Sequence, residues 1–322
     1  MPTVAITDFT FPDLSIEESI LRPEGIEIVS FKEKRSPAEL AGLVRDVDAV
    51  IAQFAPVNAE VVNAMGKAKA IVRYGIGYDN VDTATARERG IPVCNIPDYC
   101  VDEVADHTLA FILTITRQVV PNALHVRDGK WGLATPITAM QALKYLTVGI
   151  VGFGRIGREV VKRLIPFKAR VLVFDPVVHA AQITAAGAHA AKSFDELLAQ
   201  SDILSPHCPS LPATKQMFNA AAFAKMKRGA IFINVGRGDL ADSSALTAAL
   251  QSGQLAAAAL DVFDPEPIPA GHPLLSMPNV ILASHIASAS PSAVRTLRET
   301  AAHLALKAVR GESLPNVVNG VV

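Results

Sequence analysis

The pattern of apolar and polar positions divides the chain into two α/β series. The first hundred residues hold five short apolar runs separated by segments of helical spacing: TVAITD, IEIVSF, AVIAQF, AIVRYG and PVCNI. A second series begins at Thr147 with the runs TVGIVG, ARVLVFD, DILSPH, GAIFINVG, AAAALDVF and NVILASH. Several runs are apolar without alternation, which is typical of strands buried on both faces. The pattern therefore predicts parallel sheets covered by helices.

Helical spacing over longer stretches predicts two further elements. Apolar residues recur at this spacing through residues 101–120, VDEVADHTLAFILTITRQVV, so we expect one long helix there. A second helix is expected in SAVRTLRETAAHLALKAVRG, with Gly311 as its C-cap.

Composition and charge restrict the class of protein. The 322 residues are half hydrophobic and 19% charged, which predicts a large packed core and allows two domains. A formal net charge of −1 disfavours nucleic-acid or membrane-surface binding through bulk electrostatics. No apolar run approaches the roughly 20 residues that span a bilayer, and the N-terminus lacks the pattern of a secretory signal. Cys94, Cys100 and Cys208 lack metal-ligand spacing. We therefore expect a cytoplasmic protein with no metal site and neither a nucleic-acid nor a membrane partner.

A glycine-rich turn opens the second series. Gly152, Gly154 and Gly157 form G-x-G-x-x-G between an apolar run and the helix-like REVVKRLI. In a dinucleotide-binding turn, these glycines allow the tight turn, the approach of a pyrophosphate and the packing of helix on strand. Asp175 ends the next apolar run, where a carboxylate accepts hydrogen bonds from the adenosine ribose and repels a 2′-phosphate. The motif predicts NAD binding, with a βα turn that binds no ligand as the alternative.

Three polar residues follow three later strands of this series. Arg237 comes after IFINVG, Glu266 after LDVFDP and His285 after VILAS. Because the carboxyl ends of parallel strands share one edge of the sheet, these side chains should lie near the glycine turn. An arginine can hold a carboxylate, a histidine can exchange a proton near neutral pH, and a glutamate can orient the histidine. Together they predict reduction of a carbonyl group by a nicotinamide hydride, although each alone also suits a structural role.

Motifs along the chain resemble those of one family, the D-isomer-specific 2-hydroxyacid dehydrogenases. The segments VRYGIGYDNVD, GIVGFGRIG, FDP, MKRGAIFINVGRG, ALDVFDPEP and SHIAS follow the family's order over nearly the whole chain. The resemblance implies an α/β fold of two doubly wound parallel-sheet domains. One is a flavodoxin-like substrate domain of residues 1–100, completed by residues 290–322, and the other is a Rossmann NAD-binding domain of residues 101–289. It also implies an NAD-dependent oxidoreductase that acts on a small 2-oxo or 2-hydroxy acid, usually as a homodimer.

The resemblance further implies roles for individual residues. Arg237 would orient the substrate, His285 would be the acid/base and Glu266 its partner. The substrate carboxylate would bind main-chain N–H groups of a glycine-containing loop formed by Tyr74, Gly75, Ile76 and Gly77. The alternative is that this loop is a simple turn that binds no ligand. The cofactor would contact the glycine turn at its pyrophosphate and further residues at its ribose, adenine and nicotinamide: Gly152, Gly154, Arg155, Ile156, Gly157, Asp175, His207, Pro209, Val235, Arg237, Asp261 and Thr108.

Departures from the family pattern bear on the substrate. Phosphoglycerate-oxidising members carry an Arg-Ser pair after the third strand, where this chain has IAQFAP. Phe54 would therefore edge a pocket for a short acid such as glyoxylate or hydroxypyruvate. Formate-oxidising members carry glutamine in place of Glu266, so formate is disfavoured.

Alternatives to this prediction come from other classes of protein. RYGIGYDN and CNIPDYCVDEVADHTLA also resemble NAD(H)-sensing transcriptional corepressors, which keep the same three polar residues. An enzyme acting on amines would ordinarily use a lysine near the nicotinamide, and none lies between Lys227 and Lys307. Trp131 in DGKWG is expected either at a dimer interface or in the core.

Overall fold

The structure is a computed structural model that describes residues 1–321. The chain divides into two compact units, one formed by Met1–Tyr99 with Ser290–Val322 and the other by Cys100–Ala289. These are called unit 1 and unit 2 below.

Unit 1 contains a five-stranded parallel sheet with strand order β2-β1-β3-β4-β5. Its strands are β1 (Thr3–Ile6), β2 (Glu27–Ser30), β3 (Ala49–Ala52), β4 (Ile71–Arg73) and β5 (Val93–Cys94). Helices α1 (Ser15–Leu21), α2 (Pro37–Leu43), α3 (Ala59–Ala64) and α4 (Thr83–Glu88) alternate with them. The order 2-1-3-4-5 is that of a flavodoxin-like doubly wound sheet.

Unit 2 contains a seven-stranded parallel sheet with strand order β12-β11-β10-β9-β6-β7-β8. Its elements in chain order are α5 (Val101–Thr116), α6 (Val119–Arg127), β6 (Thr147–Val151), α7 (Arg155–Leu164), β7 (Arg170–Phe174), α8 (Ala180–Ala185), β8 (His189–Ala190), α9 (Phe194–Gln200), β9 (Ile203–Pro206), α10 (Ala220–Lys225), β10 (Ala230–Asn234), α11 (Ser243–Gln251), β11 (Leu255–Leu260) and β12 (Val280–Leu282). The strand order reverses between β6 and β9. Such a switch point opens a crevice at the carboxyl ends of the strands, where nucleotides bind in Rossmann folds.

The last helix, α12 (Pro291–Arg310), returns to unit 1 and ends at Gly311 in the left-handed conformation that the sequence predicts for a C-cap. Its apolar face joins the core of the first sheet through Leu297, Ala301 and Ala305. The core of unit 2 is built around Phe218, Phe223 and Phe232, whose rings pack at tilted and edge-on angles.

The predicted fold class is confirmed, while one local expectation is wrong and one of two alternatives is excluded. The expected single helix over residues 101–120 is two helices, because Gln118 adopts the left-handed conformation (φ +52°) between α5 and α6. Trp131 is 93% exposed, so core packing of this side chain is excluded. No single helix within residues 1–321 is long and apolar enough to cross a membrane. Only the bent pair α5–α6 reaches that length and composition together, and α5 contributes many of its residues to the core.

Candidate active site

The glycine-rich turn contains glycines of two kinds. Gly152 follows β6 with a φ of +93°, a conformation that side-chain-bearing residues rarely adopt. A Cβ on Gly152 would lie 2.8 Å from the carbonyl oxygen of His207, and one on Gly157 would lie 2.2 Å from the carbonyl oxygen of Gly152. Gly154 is exposed, and a Cβ there would meet no atom within 4 Å. Chain packing therefore requires two of the glycines, whereas the third borders open space.

Helix α7 begins beside this open space with unused hydrogen-bond donors. The N–H of Arg158 donates to the Gly154 carbonyl at 3.1 Å and is the first bond of the helix. Within residues 1–321, the N–H groups of Arg155, Ile156 and Gly157 donate to no acceptor. Free N–H groups and the positive dipole end make a helix N-terminus a phosphate-binding site. The turn and the helix therefore fit the pyrophosphate of a dinucleotide.

Asp175 lies at the end of β7 and is bonded to the turn. Its Oδ2 accepts the N–H of Phe153 at 2.7 Å, and its Oδ1 accepts the N–H groups of Val177 and Val178 at 2.8 and 3.1 Å. The half-buried carboxylate thus fixes the turn and also places a negative charge at the carboxyl edge of the sheet. A charge at this position suits the ribose of NAD and repels the phosphate of NADP.

His207 follows β9 and packs against the same turn. Its main-chain N–H donates to the Val151 carbonyl at 2.7 Å, and its Nε2 lies 3.0 Å from Oγ of Ser205. Burial lowers the pKa of the imidazole to about 4, so the ring is neutral at pH 7. Pro209, two residues further along, is exposed.

Arg237 is carried by a turn that follows β10. The side chain of Asn234 closes the turn by accepting the N–H of Gly236 at 3.0 Å and donating to the Arg237 carbonyl at 2.8 Å. A Cβ on Gly238 would lie 2.0 Å from the main chain of Phe263, so the turn packs closely on the segment after β11. This contact brings the arginine turn next to the segment that carries Glu266.

His285 and Glu266 form a direct pair. Nδ1 of His285 lies 2.9 Å from Oε2 of Glu266, and the two side chains are 27% and 29% exposed. The other carboxylate oxygen accepts the N–H of Phe263 at 2.9 Å. Because Nδ1 faces a carboxylate, it carries a proton, which leaves Nε2 as the position that exchanges protons.

The charges in this region stabilise the ionised form of Glu266. Burial by itself would raise the pKa of the Glu266 carboxyl, whereas the hydrogen bond and the charge of His285 lower it. The Phe263 N–H and the positive charge of Arg237 add to this effect, so the pKa lies below its ordinary value. The structure therefore brings Arg237, Glu266 and His285 together at the carboxyl ends of β10, β11 and β12.

Asp261, at the end of β11, holds the loop that carries His285. Its main-chain carbonyl accepts the N–H of His285, and its carboxylate accepts the N–H groups of Ile286 and Ala287, both at 2.8 Å. Asp261 is fully buried. The family resemblance implies that this residue lies beside the nicotinamide; in the structure, its carboxylate oxygens are bonded to the protein's own main chain.

Two further residues expected near the cofactor are also buried. Val235, directly after β10, is 7% exposed. Thr108 is fully buried in α5, and its hydroxyl donates to the Val104 carbonyl of the same helix at 2.8 Å.

Residues 74–77 of unit 1 form a loop directly after β4. The N–H groups of Tyr74 and Gly75 donate to the carbonyls of Ala52 and Arg73, both at 2.8 Å. Those of Ile76 and Gly77 donate to no acceptor in the part of the chain that the structure describes. Of the four N–H groups expected for a substrate carboxylate, two are thus already used and two are available.

The loop after β3 contacts the end of β4, the strand that precedes residues 74–77. The ring of Phe54 is 5.8 Å from the guanidinium of Arg73 and 5.4 Å from the ammonium of Lys34. Its N–H donates at 2.8 Å to the buried carboxylate of Asp8, which also accepts the N–H groups of both neighbouring residues at 3.1 Å. Asp8 was not among the predicted site residues, although it ends the first apolar run as Asp175 ends a later one.

Comparison with known proteins identifies relatives of the whole chain. Residues 109–287 match the D-isomer specific 2-hydroxyacid dehydrogenase, NAD binding domain. The chain is 37% identical over 303 residues to a glyoxylate reductase of Korarchaeum cryptofilum, covering 92% of this chain and 90% of that protein. The crystal structure of the TT0316 protein from Thermus thermophilus is 37% identical, with a TM-score of 0.87 over 98% of this chain and 99% of that one. D-Lactate dehydrogenase from Aquifex aeolicus, solved with NAD and lactic acid, is 27% identical, with a TM-score of 0.88 over 98% of this chain and 99% of that one.

These matches agree with the geometry of unit 2, in which a dinucleotide-binding turn and a His–Glu–Arg cluster lie on one parallel sheet. Unit 2 is an NAD-binding domain, and the predictions of an NAD-dependent oxidoreductase and of NAD as its cofactor are confirmed. The chain belongs to the D-isomer specific 2-hydroxyacid dehydrogenase family.

Proposed function

We propose that the chain reduces a short 2-oxo acid, such as glyoxylate or hydroxypyruvate, to the D-2-hydroxy acid with NADH. The proposal depends most on the His285–Glu266 pair, 2.9 Å apart, with the charge of Arg237 beside it. This cluster combines a proton donor and a fork that fits a carboxylate. The 37% identity to a glyoxylate reductase supports the class of substrate.

Binding of the acid is assigned to main-chain and side-chain donors. The N–H groups of Ile76 and Gly77 bind the carboxylate, and Arg237 holds the carboxylate and polarises the carbonyl oxygen. Phe54, fixed through its N–H to Asp8, limits the length of the acid's side chain. Donors that are fixed before the substrate arrives stabilise developing charge without reorganisation.

The proton transfer is assigned to His285. Bound NADH supplies a hydride for the carbonyl carbon. His285 donates its Nε2 proton to the carbonyl oxygen, which completes the hydroxyl group. Glu266, ionised and bonded to Nδ1, stabilises the imidazolium before the transfer and keeps the ring oriented after it. The imidazole then regains a proton from solvent, and oxidation of the hydroxy acid follows the same path in reverse.

Steady-state assays test this assignment. The purified protein is assayed with glyoxylate, hydroxypyruvate, pyruvate and 3-phosphohydroxypyruvate, each with NADH and with NADPH. We expect the highest kcat/KM for glyoxylate or hydroxypyruvate with NADH. If none of the acids is turned over above background, the proposal is wrong. A clear preference for the phosphorylated acid would contradict the role given to Phe54.

The corepressor hypothesis is a separate outcome of the same assay. A chain that binds NADH tightly but turns over no acid would support this hypothesis. The three polar residues do not distinguish the two classes, because the corepressors keep them too.

We also propose that the chain forms a homodimer through unit 2. Large apolar side chains are exposed along residues 119–145, among them Leu124 at 53%, Trp131 at 93% and Ile137 at 71%. An apolar surface of this kind is typical of an interface, and a second copy of the chain would cover it. Sedimentation velocity should show a dimer for the wild type and a monomer for Trp131→Glu combined with Ile137→Glu. A monomeric wild type would contradict the proposal.

A further inference from the structure

Unit 1 contains a buried ion pair that the proposed reaction does not use. Glu17 on α1 is fully buried, and Arg298 on α12 is 5% exposed. Their contact is bidentate, with Nε–Oε1 at 2.9 Å and Nη2–Oε2 at 2.6 Å, and Nη2 also donates to the Asp13 carbonyl at 2.7 Å. Desolvation of two buried charges largely offsets their attraction, so a pair of this kind contributes little to stability. The positions of the two side chains are well defined, however, so the pair can fix the positions of the side chains that contact it.

The neighbour of the pair is Tyr74, the first residue of the 74–77 loop. The tyrosine hydroxyl donates to Oε1 of Glu17 at 2.8 Å. Its buried ring packs edge-on against Phe11 at 5.4 Å, and the guanidinium of Arg298 lies 4.8 Å from the same phenylalanine ring. Glu17, Arg298, Tyr74 and Phe11 therefore form one closed group, called the Glu17 cluster here.

Tyr74 connects the Glu17 cluster to the loop through its main chain. Its N–H donates to Ala52, and its carbonyl accepts Nη1 of Arg73 at 2.8 Å. Gly75 follows with a φ of +148°, and its carbonyl accepts the N–H of Ile96 at 3.0 Å. Gly75, which precedes the two available N–H groups, is thus held through both its N–H and its carbonyl. The tyrosine ring anchors the start of the loop in the core.

We propose that Glu17 and Arg298 are positioning residues for the carboxylate-binding loop. By holding the hydroxyl of Tyr74, they fix the directions of the Ile76 and Gly77 N–H groups before the substrate binds. The inference rests on the function proposed above for residues 74–77. Neither side chain touches the substrate, so the effect of both is on affinity for the acid and not on cofactor binding or proton transfer.

Two changes remove the contact without leaving a buried charge unpaired. Tyr74→Phe deletes one hydroxyl, keeps the ring and leaves the Glu17–Arg298 pair intact. Glu17→Leu combined with Arg298→Met replaces both charges by apolar side chains of similar size, which buried ion pairs tolerate. A matched control is the exposed pair Glu24–Arg310, which also joins the region after α1 to α12 but lies away from Tyr74. Its replacement by Glu24→Gln and Arg310→Met should leave all constants unchanged.

The measured quantities are KM and kcat for glyoxylate, and the Kd values of NADH and of oxamate, an unreactive 2-oxo acid mimic, in the NADH complex. We expect KM and the oxamate Kd to rise about threefold to tenfold in Tyr74→Phe and about tenfold or more in the double variant, with the NADH Kd unchanged. A merely structural role would lower the active fraction, and hence kcat, without changing KM.

Wild-type KM and oxamate affinity in a folded Tyr74→Phe protein would overturn the inference, whether or not the double variant folds. A wild type that neither reduces any 2-oxo acid nor binds oxamate would instead show that the proposed function is wrong, and the inference with it. A wild type that binds oxamate without turnover still allows the oxamate comparison to decide between the two roles.

Discussion

The main-chain N–H of His285 donates to the carbonyl oxygen of Asp261 at 2.7 Å, so the proposed acid/base is bonded directly to the end of a neighbouring strand. The Asp261 carboxylate binds the next two N–H groups of the same loop. The position of the imidazole is therefore set by main-chain bonds that do not depend on its side chain. This allows the histidine to be replaced while its loop is kept.

His285→Ala should lower kcat for 2-oxo acid reduction by about 10²- to 10⁴-fold, because the carbonyl oxygen loses its proton donor. NADH binding, measured by fluorescence titration, should stay nearly unchanged. His285 has a φ of +59°, which asparagine tolerates better than most residues, so His285→Asn is a second variant that relieves backbone strain. His189→Ala, at an exposed position on β8, is the matched control. Full activity in both His285 variants would remove this residue from the mechanism.

Glu266→Gln should change the pH dependence of the reduction. Glutamine keeps a hydrogen bond to Nδ1 but removes the negative charge that stabilises the imidazolium. The alkaline limb of kcat/KM should therefore move to lower pH. The control is the wild-type profile in the same buffers. An unshifted limb with reduced kcat would indicate that Glu266 orients the ring without acting through its charge.

The two kinds of glycine in the dinucleotide turn predict opposite results. Gly154→Ala has open space, so the protein should fold normally while its Kd for NADH rises about tenfold or more, because the methyl group displaces the pyrophosphate. Gly157→Ala places a Cβ 2.2 Å from the Gly152 carbonyl and should lower the melting temperature. Differential scanning calorimetry and NADH titration separate these effects. Unchanged NADH affinity in Gly154→Ala would show that the pyrophosphate does not approach this glycine.

Asp175→Asn should weaken the preference for NADH over NADPH by about tenfold or more, because a negative charge no longer opposes the 2′-phosphate. Asparagine keeps one oxygen for the N–H groups of Val177 and Val178 but no longer accepts the N–H of Phe153 in the glycine turn, so the Kd values of both coenzymes should rise while their ratio reports the loss of charge. The ratio of kcat/KM for the two coenzymes is the measurement. Asp175→Glu retains the charge and is the control. An unchanged ratio in Asp175→Asn would place the ribose elsewhere.

His207 should make the folded chain less stable in mild acid. Its pKa of about 4 in the folded state lies below the ordinary value of 6.5, so the unfolded chain takes up a proton that the folded chain does not. The contribution of His207 to the free energy of unfolding is therefore largest above pH 6.5 and falls as the pH drops towards 4, by up to about 1.4 kcal/mol per pH unit.

Urea unfolding at several pH values checks this slope. His207→Asn should lack the fall in the free energy of unfolding that His207 causes below pH 6.5. His303→Asn, at an exposed position on α12, should retain the wild-type slope. Equal slopes in wild type and His207→Asn would mean that the imidazole titrates normally in the folded protein.

Features with a local sequence signal were predictable. The glycine turn depends on residues a few positions apart, and topology alone brings the ends of parallel strands to one edge, which is why Arg237, Glu266 and His285 were expected together. The parallel sheets were also predictable, because a short apolar run without alternation is a local signal of a strand buried on both faces.

Features that depend on distant partners were not predicted. Asp8 binds N–H groups about 45 residues away, and Glu17 pairs with Arg298 across 281 residues, so no window of sequence contains either contact. Asp261 matches a family motif, but only the structure shows that its oxygens hold the histidine loop. The break at Gln118 escapes periodicity because helical spacing continues on both sides of one left-handed residue.

The return of α12 to unit 1 has a consequence for synthesis of the chain. Leu297, Ala301 and Ala305 complete the core around β1 and β3, yet they are translated after every strand of both sheets. The continuous NAD-binding unit can fold as soon as it leaves the ribosome, because domains generally fold as units during synthesis. The first sheet keeps an uncovered apolar face until α12 has been synthesised. We therefore expect the order of folding on the ribosome to be the reverse of the order in sequence.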